Sequence, residues 1–212
     1  VGAGISPVSD NRRSVVFSDV SKQGMQTLKK MKKEGAFVVA DATALPFKSR
    51  SFKYCIGSEV VEHIDDDQLA LQEMSRVLSI GGRCIITFPH RTAYHSIDDV
   101  YVDHRHRYNL SDMYNKLNLA GLFPLNVQAV LGPLGKIMMI SAVFIIKLVD
   151  RKQRQADLMS GSPVFFQVCV PVFKWTNRLI AVLAWIDEKI VPQSMSTVIL
   201  IESERMKGGS RC

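Results

Sequence analysis

The chain has 212 residues, 47% hydrophobic and 22% charged, with 13 glycines and 8 prolines. That mix fits one ordinary domain, or one domain with a sizeable insertion, and excludes collagen-like, coiled-coil and wholly disordered chains. Its four cysteines, Cys55, Cys84, Cys169 and Cys212, lie scattered with no C-x-x-C and no Cys/His cluster. This argues against a disulfide scaffold or structural zinc site, so no metal ligands are expected and a reducing, cytoplasmic setting is. The net charge of +7 and pI near 9.3 raise nucleic acid or an anionic membrane as partners. The basic residues, however, form two local groups rather than one stripe. One is Lys22, Lys29, Lys30, Lys32 and Lys33, the other Arg151, Lys152 and Arg154. Nucleic acid is therefore set aside, and the second group, beside apolar sequence, suits a membrane surface.

In chain order, Val1 reads as the stub of a strand ahead of Gly2-Ala3-Gly4. Ser14–Ser18 is a short strand ending at Asp19. Lys22–Lys33 is a helix with Met25, Leu28 and Met31 as its apolar face and Gly35 as its stop. Ala36–Ala40 is a strand ending at Asp41, and Tyr54–Gly57 another ending at Ser58 and Glu59. Asp67–Leu78 is a helix with Ala70, Met74, Val77 and Leu78 on one face, stopped by Gly81 and Gly82. Arg83–Phe88 follows as a strand closed by Pro89. Ser111–Ala120 is a helix, Leu125–Leu131 a strand, and Thr197–Glu202 a last strand. Alternating apolar strands and helices imply β-α-β units and a mostly parallel sheet. Ligands of such sheets bind beyond the carboxyl ends of the strands, where this chain places Gly2–Gly4, Asp19, Asp41, Glu59 and His90.

Glycines at 2 and 4 allow a ligand to approach the backbone closely. Asp19, at the next strand end, is placed for a ribose diol. Asp41, followed by Ala42, can accept from an exocyclic amine or simply cap a turn. Ile5, Ser6 and Pro7 stand where G-x-G-x-x-G needs its third glycine, which argues against a nicotinamide dinucleotide and its oxidoreductase chemistry. His63 and His90 are the candidate catalytic bases, with His104, His106 and Tyr94 as further candidates. Surface or salt-bridged histidine is the plain alternative for each.

Taken together, V-G-A-G, F-S-D-V-S, V-A-D-A-T-A-L-P-F, S-F-K-Y-C-I-G-S-E-V-V-E-H-I and E-M-S-R-V-L-S-I-G-G-R-C-I-I-T-F-P resemble a class I S-adenosylmethionine-dependent methyltransferase. The branch is that of methyltransferase type 11, typified by ubiquinone and menaquinone methyltransferases. The resemblance covers about residues 1–90. It implies a doubly wound, mostly parallel, seven-stranded Rossmann-like α/β sheet whose antiparallel last strand inserts beside Leu125–Leu131. It implies S-adenosyl-L-methionine as cofactor, held by Gly2 and Gly4 under the methionine part, Asp19 on the ribose, Asp41 and Ala42 at the adenine, and Ser58 and Glu59 near the methyl group. The chain departs from the family in starting at Val1, which suggests an N-terminal truncation. It departs also at Ser6, in a short stretch between Gly4 and Asp19, and at Lys53, where the family often has Asp.

The remainder is apolar. Ile137–Ile146 is uncharged over ten residues, about half of the roughly 20 needed to span a bilayer. Beyond a polar linker, Asp150–Ser162, lies Pro163–Val191, with Leu179, Val182, Leu183, Ile186 and Ile190 on one helical face and Phe165, Phe166, Phe173, Trp175 and Trp185 among them. The expected organisation is a cofactor-binding domain of residues 1–130 plus 193–206, with 131–192 inserted as a lid, dimer contact or membrane-surface element. The acceptor is then a small molecule or lipid-like compound, with peripheral contact at the inner membrane face or a homodimer as companions. A non-catalytic binding protein of the same fold at a membrane surface is the competing expectation.

Overall fold

A computed structural model describes residues 1–4, 15–32, 34–96, 99–100, 103–133, 135–138, 140–141, 182, 190 and 192–207. The elements in order are β1 (Val16–Asp19), α1 (Lys22–Met31), β2 (Ala36–Val39), β3 (Phe52–Ser58), α2 (Asp67–Val77), β4 (Leu78–Pro89), α3 (Leu110–Leu119), β5 (Leu122–Leu131) and β6 (Val198–Arg205). β1 and β2 pair in parallel, and β3 and β4 pair in parallel. β6 runs antiparallel between β4 and β5.

Val1–Ala3 join these two groups of strands. The Val1 nitrogen donates to the Ile56 carbonyl of β3 at 2.8 Å, and Ala3 N–H donates to Ser18 of β1 at 2.9 Å. The spatial order is therefore β2, β1, Val1–Ala3, β3, β4, β6, β5, a mixed sheet with one antiparallel strand among the described residues. The chain steps outward in opposite directions from this centre, so right-handed crossovers require α1 on one face and α2 on the other.

The helices form where caps and apolar faces agree. Ser21 caps α1 by accepting from Gly24 N–H at 3.0 Å, and Asp66 caps α2 by accepting from Leu69 N–H at 3.0 Å. Met25 and Leu28 of α1 are buried with Phe17, but Met31, expected on the same face, is exposed. A three-residue step falls about 60° short of a full helical turn, so two such steps carry Met31 off the buried stripe. Leu71 and Met74 of α2 pack on β3 and β4 together with Met113 and Leu117 of α3, and Ala70 and Val77 are buried as well. The close approach of α2 rests on Gly57, where a Cβ would lie 2.8 Å from Met74 Cε.

Two boundary expectations change. Helix α2 ends at Val77, and Leu78 already has extended backbone, so β4 starts there rather than at Arg83. Gly81, at φ +75°, and Gly82 then serve an irregularity in the β3–β4 pairing rather than a helix stop. Most of the expected insertion, 131–192, and the polar linker lie outside the described residues, as do Ile5, Ser6 and Pro7. Among the described residues no helix is long and apolar enough to cross a membrane.

The carboxyl end of β4 and the amino end of β6 are tied by a buried ion cluster. Arg107 donates through Nη1 to the carbonyls of His90 at 2.9 Å and Thr197 at 3.3 Å, and its Nη2 lies 2.7 Å from Asp99. Asp99 also accepts from Lys136 at 3.0 Å and from Ser96 N–H at 2.9 Å. Burial opposes ionisation of Asp99, but hydrogen bonds from Arg107, His104 and Lys136 overcome it and hold the carboxyl well below the usual range. Replacing Asp99 with Asn strands Arg107 and Lys136 without their counter-charge, and urea unfolding should show a loss of about 3–5 kcal/mol. Because the folded pKa is depressed, this contribution is full above the ordinary carboxylate pKa and is lost as pH falls toward the folded value. The stability profile of Asp99→Asn should accordingly be flatter than the parent's below about pH 4.

Candidate active site

The strand ends enclose a cleft of about 620 Å³ lined by Val1, Gly2, Gly4, Asp19, Asp41, Ala42, Glu59 and His63 among others. Gly2 has φ +60°, and a Cβ on it would fall 2.3 Å from Val60 Cγ2, so only glycine fits. Gly4, at φ +52°, needs glycine for its backbone alone, since no atom crowds its Cβ position. Asp19 fixes this loop: one carboxylate oxygen accepts from Gly4 N–H at 2.8 Å, the other from Ser21 N–H at 2.8 Å. A carboxylate has about four acceptor sites, so Asp19 retains capacity for a ligand.

Asp41 stands across the cleft in an exposed turn. Its Oδ1 accepts from Thr43 N–H at 2.8 Å and from Thr43 Oγ1 at 2.7 Å, and these two bonds lower its pKa. The turn-capping role is thus real, yet the residue also faces the cleft. Its loop is anchored from behind by α2. Leu45 N–H donates to Glu73 at 2.8 Å, and Arg76 bridges Glu73 and the carbonyls of Leu45 and Phe47. The Arg76 hydrogen bond holds Glu73 below the usual carboxylate range.

Glu59 ends β3 with φ +52°, a left-handed conformation costly for a residue with a side chain. Its N–H donates to the Thr87 carbonyl at 3.2 Å and to Thr87 Oγ1 at 3.1 Å. Its Oε1 is buried without a hydrogen-bond partner among the described residues. Ser58 is paired with Thr87 Oγ1 at 2.9 Å and does not line the cleft.

The two histidines part company. His63 lines the cleft, with Nδ1 2.8 Å from the Asp103 carbonyl. His90 is buried outside the cleft lining, its Nδ1 2.9 Å from the Ser196 carbonyl. Burial lowers the His90 pKa and keeps the ring neutral. Of the other candidates, His104 lies against His63 with ring centroids 5.1 Å apart, while His106 and Tyr94 are not in the cleft wall. The cleft is acidic despite the basic chain, with Asp19, Asp41, Glu59, Asp65 and Asp66 against Arg105, which pairs with Asp65.

Glu62 was not singled out from the sequence. It is fully buried, and its pKa is pushed up to about 9, first by burial and then by the Glu59 charge. Asp99, Arg107 and Lys136 were also missed, because residues far apart in the chain meet here only through the fold. The paired E-x-x-E-H and H-R-H-R stretches were the available signal.

A family model described as methyltransferase domain matches residues 1–86. The fold is Rossmann-like, and residues 1–86 are similar to a methyltransferase domain. Among curated proteins, the chain is similar to a demethylmenaquinone methyltransferase of Renibacterium salmoninarum, 33% identical over 100 residues, covering 44% of this chain and 42% of that protein. Among solved structures, it is similar to the [4+2]-cyclase SpnF, with a TM-score of 0.62 and 16% identity over 98% of this chain and 74% of that one. It is also similar to Haemonchus contortus phosphoethanolamine N-methyltransferase 2 in complex with S-adenosyl-L-methionine, with a TM-score of 0.59 and 19% identity over 97% of this chain and 47% of that one. The chain therefore spans less than half of the curated relative.

Gly2→Ala tests the loop. Strain at positive φ should cost about 1–3 kcal/mol in thermal or urea unfolding. The added Val60→Ala should recover only the part owed to the clash. Equal stability of Gly2→Ala and parent would contradict the loop geometry.

Proposed function

We propose that the cleft binds S-adenosylmethionine and that the chain transfers its methyl group to a small-molecule acceptor. The observation that carries this reading is the meeting of Gly2, Gly4, Asp19, Asp41 and Glu59, from successive strand ends, around one cleft. The residues fit the cofactor's chemistry. The cofactor supplies an activated methyl on a sulfonium, with an ammonium, a ribose diol and an adenine amine that seek acceptors. The cleft offers carboxylates at Asp19, Asp41 and Glu59, a buried and unpartnered oxygen on Glu59, and a floor at Gly2 that a Cβ would fill.

Asp19 would accept from the ribose hydroxyls, Asp41 from the adenine amine beside Ala42, and Glu59 from the amino-acid end. In methyl transfer the carbon–sulfur bond breaks as the bond to the acceptor forms, and the acceptor's proton, where it has one, leaves to a base or water. Alignment supplies much of the rate, so rigid strand ends are the relevant device. His63 is the imidazole placed to serve an acceptor in the cleft, whereas His90 is committed to Ser196 outside it.

For the acceptor we favour a lipid-linked or quinone-like molecule. The apolar sequence of 131–192 supports presentation at a membrane surface, as does the name of the demethylmenaquinone methyltransferase relative. Because a [4+2]-cyclase shares the fold, binding and turnover need separate measurements.

Calorimetry with S-adenosylmethionine and S-adenosylhomocysteine should give micromolar binding to the parent. Asp41→Ala should weaken it at least tenfold, while Lys53→Ala, exposed on β3, should leave it unchanged. Absence of binding at millimolar cofactor would overturn the proposal.

A further inference from the structure

Behind the cleft wall, Glu62, His63 and His104 each place a ligand atom within 4.8 Å of the others'. Two features point to an ion there. The Glu62 side chain is wholly buried, and among the described residues neither of its oxygens meets a hydrogen-bond donor, its polar neighbour being the Glu59 carboxyl. An orphaned buried carboxyl group is costly unless something compensates it. Both imidazoles are oriented by acceptors at Nδ1. His63 Nδ1 meets the Asp103 carbonyl at 2.8 Å, and His104 Nδ1 meets the Asp99 carboxylate at 3.0 Å. A carbonyl or carboxylate oxygen only accepts, so each Nδ1 is the donor, and in a neutral ring Nε2 is then the nitrogen with a lone pair for a metal. His104 Nε2 duly faces Glu62, 3.7 Å from Oε1. That distance is too long for a good hydrogen bond, leaving room for an ion between them. Finally, a histidine whose second nitrogen is held by carboxylate or carbonyl is the usual outer arrangement of a metal-bound histidine.

We infer that Glu62, His63 and His104 form a binding site for a divalent transition-metal ion, with two nitrogen ligands and one carboxylate. This donor set suits zinc, cobalt, nickel or ferrous iron rather than calcium or magnesium. It replaces the expectation from the scattered cysteines that the chain holds no metal site. An ion held there reaches the cleft through His63, where an open coordination position can take an oxygen of the acceptor. The site stands on side-chain geometry and goes beyond the methyl-transfer reading. A failure of cofactor binding would leave it intact, and a failure of metal binding would leave the cofactor reading intact.

The test is calorimetric titration of chelator-treated full chain with zinc and with cobalt, alone and without cofactor. The parent should bind one equivalent with micromolar or tighter affinity. Glu62→Gln and His63→Ala should each bind at least a hundredfold more weakly. His95→Ala, exposed and outside the cluster, should match the parent. Should either ligand variant misfold, cobalt titration of the unmutated chain followed by proton NMR decides the matter. Paramagnetic shifts must be largest on the His63 and His104 rings. Binding weaker than millimolar, ligand variants that bind as well as the parent, or shifts centred on other histidines would overturn the inference.

Discussion

The architecture depends on Val1–Gly4 crossing the middle of the sheet. This segment bonds to β3 through Val1 and to β1 through Ala3, so it holds two groups of strands together. It must then turn away over the strand ends while passing Val60 at a distance that no Cβ permits. The Asp19 carboxylate closes the turn by accepting from Gly4 and Ser21 at once. Sheet continuity and the shape of the cleft floor therefore come from the same four residues. Stability and the shape of the cleft are coupled at this point, because backbone N–H groups that satisfy Asp19 also set its position.

A second constraint lies deeper. Asp99 gathers Arg107, Lys136 and His104, and Arg107 in turn ties the ends of β4 and β6. Tyr108 adds a parallel link, with its hydroxyl 2.7 Å from Asp67, which Lys116 also meets at 2.6 Å. Such buried polar groups specify geometry when every partner is present. Among the described residues Glu62, the Glu59 Oε1, Ser196 Oγ and Ser203 Oγ are left unsatisfied, and the two glutamates lie at or beside the cleft wall.

Much of this was legible in the sequence. Apolar runs closed by Asp19, Asp41 and Glu59 announced strands whose ends line one cleft, and Gly2-Ala3-Gly4 announced the turn. The antiparallel last strand beside the strand expected at Leu125–Leu131 followed from the family resemblance, and the pairing agrees, with that strand starting earlier, at Leu122. The misses have physical causes. Glycine at 81 and 82 reads as a helix stop in one dimension, but a strand irregularity uses the same freedom. Met31 shows that three-residue spacing drifts around a helix. His90 looked equivalent to His63 because both follow strands, yet only the fold shows that Ser196, distant in sequence, claims its ring. Glu62 was hidden in a motif whose partners, His104 and Asp99, arrive on a later loop. Ion clusters assembled across long sequence separations leave no local pattern.

The most direct test of the account is the crystal structure of the chain grown with S-adenosylhomocysteine. The account requires density in the cleft over Gly2 and Gly4, with the ribose hydroxyls on Asp19 and the adenine amine within hydrogen-bond reach of Asp41. A ligand bound elsewhere, or one whose ribose lies away from Asp19, would contradict it.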